Sequence, residues 1–237
     1  MLFRSIPDVH IRNGSLAGQT VGGTLIAKTH HRLNAVLPHA DRAIGAIYIA
    51  RHPASVLFSS LNYLRLIAPS AIVDHINPVT YARNFIRLGG DPLHIQHGFG
   101  SMLEHAGSWM SHPTLPRLVV RYEDLRERPE VELSRMLHFL GAEPDSERVR
   151  AAIADSTFER MKQLEIDEKS RGVSTVVFAG SPDRAQNGVR FMNAGTSGRS
   201  LDEFEPGLQA QAEERFSWYL QRFGYERQST SSARSVV

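Results

Sequence analysis

Residues 44–59 read Ile-Gly-Ala-Ile-Tyr-Ile-Ala-Arg-His-Pro-Ala-Ser-Val-Leu-Phe-Ser, and this stretch decides the fold. Ile44 to Ala50 is a short apolar run with the length of a buried strand, and it stops abruptly on Arg51-His52-Pro53. Proline suits the first position of a helix, and Val56, Leu57, Ser60, Leu61, Leu64 and Ile67 then follow a helical period. A buried strand that turns at once into a helix is the unit of an α/β protein. Two further runs read as strands: Gly23 to Ala27, ending on Lys28-Thr29-His30, and Leu118 to Arg121, ending on Tyr122-Glu123-Asp124. Strands apolar throughout predict a parallel sheet covered on both faces, where ligands bind beyond the carboxyl ends of the strands. Three polar clusters at three strand ends therefore sketch one site.

Helical patterns fill the intervals. Asn77-Pro78 opens one that carries Tyr81, Phe85 and Leu88 and stops at Gly89-Gly90; another covers roughly 101–110. Pro129 begins a helix with Leu133, Met136, Leu137 and Leu140 on one face, stopped by Gly141. Shorter helices are expected near 146–154 and 156–164, and an amphipathic one runs from Pro206 to Phe223. The stretch 166–189 is polar and aperiodic and reads as a loop or lid. The tail 227–237 is Ser/Thr-rich and reads as disordered. Residues 1–226 read as a single domain.

The whole chain has 237 residues, 27 basic and 25 acidic, a net charge of +2 and no cysteine. So even a balance argues against a protein that coats nucleic acid. Without cysteine there is no disulfide, thiolate metal site or Cys nucleophile, which fits a reducing cytoplasm. The longest apolar run, Ala43 to Ala50, is far short of the ~20 residues of a membrane span, and residues 1–8 carry no apolar stretch long enough for a secretory signal.

Arg51 at a strand end before a Pro-initiated helix is well placed for a phosphate, and Ser55 and Ser59 lie on one face of that helix. Lys28 beside His30 offers a cation for developing negative charge and a titratable base. The plainer alternatives are a surface arginine, solvated serines and a loop histidine among 11 histidines. His94-x-x-His97 has no third ligand in pattern, so no metal is expected. Tyr81, Phe85, Phe99 and Trp109 could wall an apolar pocket, with core packing the default for each.

Val-Val-Arg-Tyr-Glu-Asp-Leu (119–125), Arg-Pro (128–129), Phe-Leu-Gly (139–141), Lys-Thr-His (28–30), Tyr-Ile-Ala-Arg-His-Pro (48–53) and Ser-Thr-Phe-Glu-Arg-Met-Lys (156–162) together resemble the cytosolic-type sulfotransferases, over about 24–225. The resemblance implies an α/β, P-loop NTPase-like three-layer fold with a parallel sheet. It also implies transfer of a sulfuryl group from 3′-phosphoadenosine 5′-phosphosulfate to a hydroxyl or amine of a small-molecule acceptor, without a metal. His30 matches the catalytic base and Lys28 the lysine near the transferring group. Arg51 and Ser59 match the pair that grips the 3′-phosphate. Tyr122, Ser156 and Phe158 match positions of the nucleotide site, and Phe191-Met192 with Asn193 and Gly195 matches a late glycine loop near the 3′-phosphate.

Two departures stand out. The family's early Pro-Lys-Ser-Gly-Thr-Thr-Trp loop is missing. Gly14-Ser-Leu-Ala-Gly-Gln-Thr20 lacks its lysine and leaves no room for a helix before Lys28. The first strand and phosphate loop are therefore expected to be absent, and Met1 is expected to be an internal start. In the late loop Asn193-Ala194 replaces Arg-Lys, and Arg199-Ser200 stands where a Trp is usual; Arg199 or Arg190 is the candidate substitute cation. The alternative function is a degenerate, non-catalytic module that binds a 3′-phosphonucleotide or a protein. Acceptor identity and oligomeric state are not legible.

Overall fold

The computed structural model describes residues 20–21, 24–172, 189–193 and 198–227. The chain divides into two compact units, each made of two separate stretches: residues 1–51 with 92–153, and residues 52–91 with 154–237.

The first unit holds the parallel sheet. β3 (Ala46–Ala50) pairs in parallel with β4 (Arg117–Arg121), in a register that sets Ala50 beside Arg121. The carboxyl ends of both strands are thus level, as the apolar runs predicted. Tyr48 and Ala50 are buried on one face and Val120 on the other, while Ile49, level with Val120 in the register, is 52 % exposed. Among the described residues, then, the second face is covered in part. Of the run Gly23–Ala27, whose described part is 24–27, Thr24–Leu25 (β2) is strand, and it pairs antiparallel with Thr20–Val21 (β1) rather than with β3 or β4. The apolar run was too short to distinguish a hairpin arm from a buried strand.

Four helices of this unit are α4 (Pro92–Gln96), α5 (Met102–Met110), α6 (Tyr122–Glu127) and α7 (Pro129–Phe139). α5 begins with a capping box: Ser101 Oγ accepts from Glu104 N at 3.1 Å, and Glu104 accepts from Ser101 N at 2.8 Å. α6 starts where β4 ends, so Tyr122-Glu123-Asp124 forms a helical first turn rather than a loop. A Cβ on Gly45 would lie 3.1 Å from the Phe139 ring, so the lead-in to β3 uses glycine to let α7 approach. α8 (Ser146–Asp155) begins in this unit, which ends at Ile153.

The second unit is helical. α1 (Pro53–Ile67) is capped by His52, whose Nδ1 accepts from Ala54 N at 3.3 Å, and it ends on the extended Ala68 that precedes Pro69. The short α2 (Ser70–Val73) follows. α3 (Pro78–Leu88) is capped by Asn77 and closed by Gly89 at φ +74°. α10 (Leu208–Arg215) and α11 (Ser217–Phe223) break at Phe216, where a single helix was expected. Leu57, Phe85, Leu201, Leu208, Phe216 and Tyr219 form the buried centre. α9 (Phe158–Ser170) extends past the predicted end at 164, which corrects the expected loop over 166–170. Its inward positions include Glu165 and Lys169, both buried, so an apolar period could not announce it. The rest of the lid, 173–188, and the tail from 228 lie outside the described residues, as do residues 14–19 of the Gly/Ser stretch.

Candidate functional site

In the first unit the register of β3 and β4 delivers Arg51 and Tyr122 to neighbouring strand ends, and they touch. The Arg51 guanidinium lies 4.4 Å from the centre of the Tyr122 ring. Stacking of this kind engages the face of the guanidinium, whereas its donors lie in its plane, the geometry that suits a phosphate. Both side chains are half-buried.

The Lys28-Thr29-His30 segment follows β2 and carries Lys28 and His30 exposed, with His31 buried. It is tied to α5 at two points. Trp109 Nε1 donates to the His31 carbonyl at 3.1 Å, and Leu33 N donates to Ser108 Oγ at 2.9 Å. Thr29 Oγ1 also accepts from His31 N at 3.0 Å, closing the turn. The His30 ring lies 6.3 Å from His94 and 6.2 Å from Phe99, while His31 packs edge-on against Phe99 at 4.6 Å. Behind this cluster, His105 of α5 sets Nδ1 3.3 Å from the Tyr48 hydroxyl of β3. Burial, then the charge of His30 and of His94, pushes His105 down to about 4, so it is neutral at pH 7.

In the second unit Ser59 is exposed on α1, whereas Ser55 is buried, so one of the two serines faces solvent. One turn beyond Ser59, Asn62 donates from Nδ2 to the Arg190 carbonyl at 2.9 Å and accepts from Asn193 Nδ2 at 3.0 Å. Asn193 is thereby fixed to the helix that bears Ser59. Arg199 lies 3.9 Å from the Phe58 ring centre and pairs with Glu203 at 2.5 Å, so this candidate substitute cation is held by a carboxylate. Ser156 is exposed in the turn before α9, Thr157 caps that helix by accepting from Arg160 N, and Phe158 is half-buried at its first position. Gly195 lies outside the described residues. Tyr81 and Phe85 are core side chains, and the Tyr81 hydroxyl donates to Asp91 at 3.1 Å. Among the described residues no group of three His, Asp or Glu side chains could hold a metal ion, and no helix is long and apolar enough to cross a membrane.

The sequence profile described as "Sulfotransferase domain" matches residues 11–224. The chain belongs to this family. Sulfotransferase 1A1 of Mus musculus is 30% identical over 141 residues, covering 58% of this chain and 45% of the relative. Sulfotransferase 1E1 of Homo sapiens is 26% identical over 218 residues, covering 88% of this chain and 68% of the relative. The chain thus spans about half the length of several curated sulfotransferases that it matches. Among solved structures, a mouse sulfotransferase complexed with PAP superposes with a TM-score of 0.63 at 20% identity, covering 89% of this chain and 71% of that one. Retinol dehydratase in complex with androsterone and the inactive cofactor PAP gives 0.59 at 21% identity, covering 89% and 57%. These likenesses show the sulfotransferase fold.

Two features of this sulfotransferase domain were not legible in its sequence. Glu165 is fully buried, and its carboxylate accepts from Phe191 N at 2.7 Å and from Met192 N at 2.8 Å. The contact between Tyr48 and His105 joins β3 to α5. Both depend on partners far apart in the chain, and no local spacing announces them.

Proposed function

We propose that the chain is a sulfotransferase that uses 3′-phosphoadenosine 5′-phosphosulfate and sulfates a hydroxyl or amine of a small acceptor. The observation that carries the reading is Arg51 stacked on Tyr122 at the level ends of two parallel strands. That is a preorganised cation at the edge where α/β folds bind ligands. By the resemblance, the donors to the nucleotide phosphate are the guanidinium of Arg51, the exposed hydroxyl of Ser59 and the side-chain amide of Asn193. Ser156 and Phe158 offer a hydroxyl and an aromatic face for the base. Gly195 belongs to the same loop by sequence.

When bound, the cosubstrate supplies the activated sulfuryl group. His30 takes the proton of the acceptor hydroxyl, and Lys28 offsets the negative charge that develops during transfer. Both stand exposed on a segment anchored to α5, so the base is accessible while its backbone is held. A positioned base and cation suit in-line transfer between oxygens, a chemistry governed by positioning and charge stabilisation. Androsterone and retinol, which occur in structures of a retinol dehydratase, put hydroxysteroids and isoprenoid alcohols among the acceptors to try.

Isothermal titration of the full chain with adenosine 3′,5′-bisphosphate, paired with a sulfate-transfer assay over phenols and hydroxysteroids, tests the reading. Binding with transfer is expected. Binding without transfer gives the non-catalytic nucleotide-binding module, and absence of binding overturns both readings.

A further inference from the structure

The segment 190–193 is held by two polar side chains from two helices. Phe191 is 43 % exposed, and its ring meets Tyr63 edge-on at 6.5 Å, so apolar burial does little to fix this segment. What fixes it is hydrogen bonding. Glu165 of α9 takes both the Phe191 and Met192 N–H groups on its two oxygens, at 2.7 and 2.8 Å. Asn62 of α1 takes the other side, bonding the Arg190 carbonyl and the Asn193 side chain. A carboxylate at 0 % exposure is costly to bury, and two short charge-assisted bonds to backbone N–H groups are the kind of compensation that keeps one there. The same two bonds commit the Phe191 and Met192 amides inward. Neither can serve as a donor to an anion, which leaves that role to the Asn193 side chain among the described residues of the segment.

We infer that Glu165 and Asn62 are positioning residues for the 3′-phosphate of the nucleotide: they hold Asn193 in register with Ser59, one turn away from Asn62 on α1. The inference rests on the function proposed above. It adds that 3′-phosphate discrimination is set by a clamp whose members touch no ligand. Glu165 fixes the backbone before Asn193, and Asn62 fixes the side chain itself. Loss of either leaves Asn193 and Ser59 in place chemically but no longer in a fixed relation, and preorganisation of this kind is what a bound phosphate repays.

The test compares two probes, adenosine 3′,5′-bisphosphate and adenosine 5′-monophosphate, on the wild-type full chain and on Glu165→Gln and Asn62→Ala. Thermal melting is recorded for each protein. The glutamine keeps the shape of the glutamate but offers one accepting oxygen in place of two. In Glu165→Gln the Kd for the bisphosphate rises about tenfold or more, while that for the monophosphate changes less than about twofold. Asn62→Ala, at a half-buried position, shows the same selective loss and keeps the test in force if the glutamine variant fails to fold. Folded variants that keep the wild-type preference for the bisphosphate, or that lose both probes equally, overturn the clamp. A wild-type chain with no preference for the bisphosphate instead overturns the nucleotide reading on which the clamp rests, and the clamp with it.

Discussion

At the scale of single residues the two halves of the proposed chemistry are separable. His30 is exposed, so His30→Ala leaves the fold intact. Transfer in that variant falls about 10²–10⁴-fold, the range for losing a general base, while calorimetry finds the Kd for adenosine 3′,5′-bisphosphate within about twofold of wild type. Arg51→Ala does the reverse. It weakens bisphosphate binding by about 1.5–3 kcal/mol, roughly 10- to 100-fold, because a charged hydrogen-bonding group is lost. Tyr122→Leu, which removes only the stacking surface under Arg51, costs about 1 kcal/mol in the same titration. A larger effect for Tyr122 than for Arg51 would mean that the ring contacts the nucleotide itself. Most of these residues were legible because they sit where a run of one character stops: Ala50 to Arg51, and Arg121 to Tyr122. Glu165 and Asn62 were not, since nothing within a few residues of either reveals a partner 27 or 131 positions away.

At the scale of elements, α5 is the brace for the His30 segment, and it carries a pH dependence. His105 titrates near 4 in the folded protein against about 6.5 when unfolded. The unfolded chain therefore binds the proton more readily. The contribution of His105 is fully present above pH 6.5 and is lost as pH falls toward 4. Between pH 7.5 and pH 5 this amounts to at most about 2 kcal/mol. The facing groups are His30, His31 and His94, with the Tyr48 hydroxyl at Nδ1. In urea denaturation at the two pH values, wild type loses up to about 2 kcal/mol more stability than His105→Phe; equal losses would refute the assignment. The strands β3 and β4 were readable because their apolar runs matched strand length. The last turns of α9 were not, because its inner face is built from Glu165 and Lys169, and a helix buried through charge has no apolar period to find. The run around β2 misled for the opposite reason: it is apolar throughout, yet among its described residues the strand is Thr24–Leu25.

At the scale of the whole molecule, each unit is assembled from two stretches of sequence that alternate along the chain. Sequence reading gives one domain from 1 to 226, because composition changes nowhere abruptly and the motifs it shares with the family occur in order. The alternation follows from long-range pairing, which a sequence states only indirectly. It makes a direct prediction. The fragment 92–153 contains β4, α5 and α7 but lacks β3, the strand that pairs with β4. Expressed alone it is unfolded by circular dichroism and amide hydrogen exchange, whereas a mixture with fragment 1–51 recovers protection along β4. Protection of 92–153 by itself would show that the parallel pair is dispensable.

The level register of β3 and β4 also has a meaning in time. During synthesis Ile47 and Ile49 emerge well before their partner strand, which follows roughly 70 residues later, several seconds at ordinary ribosome speed. Until then β3 has an unsatisfied edge and an apolar face and nothing of its own to pair with. The strand end that carries Arg51 therefore has no native pairing until Arg121 has been made.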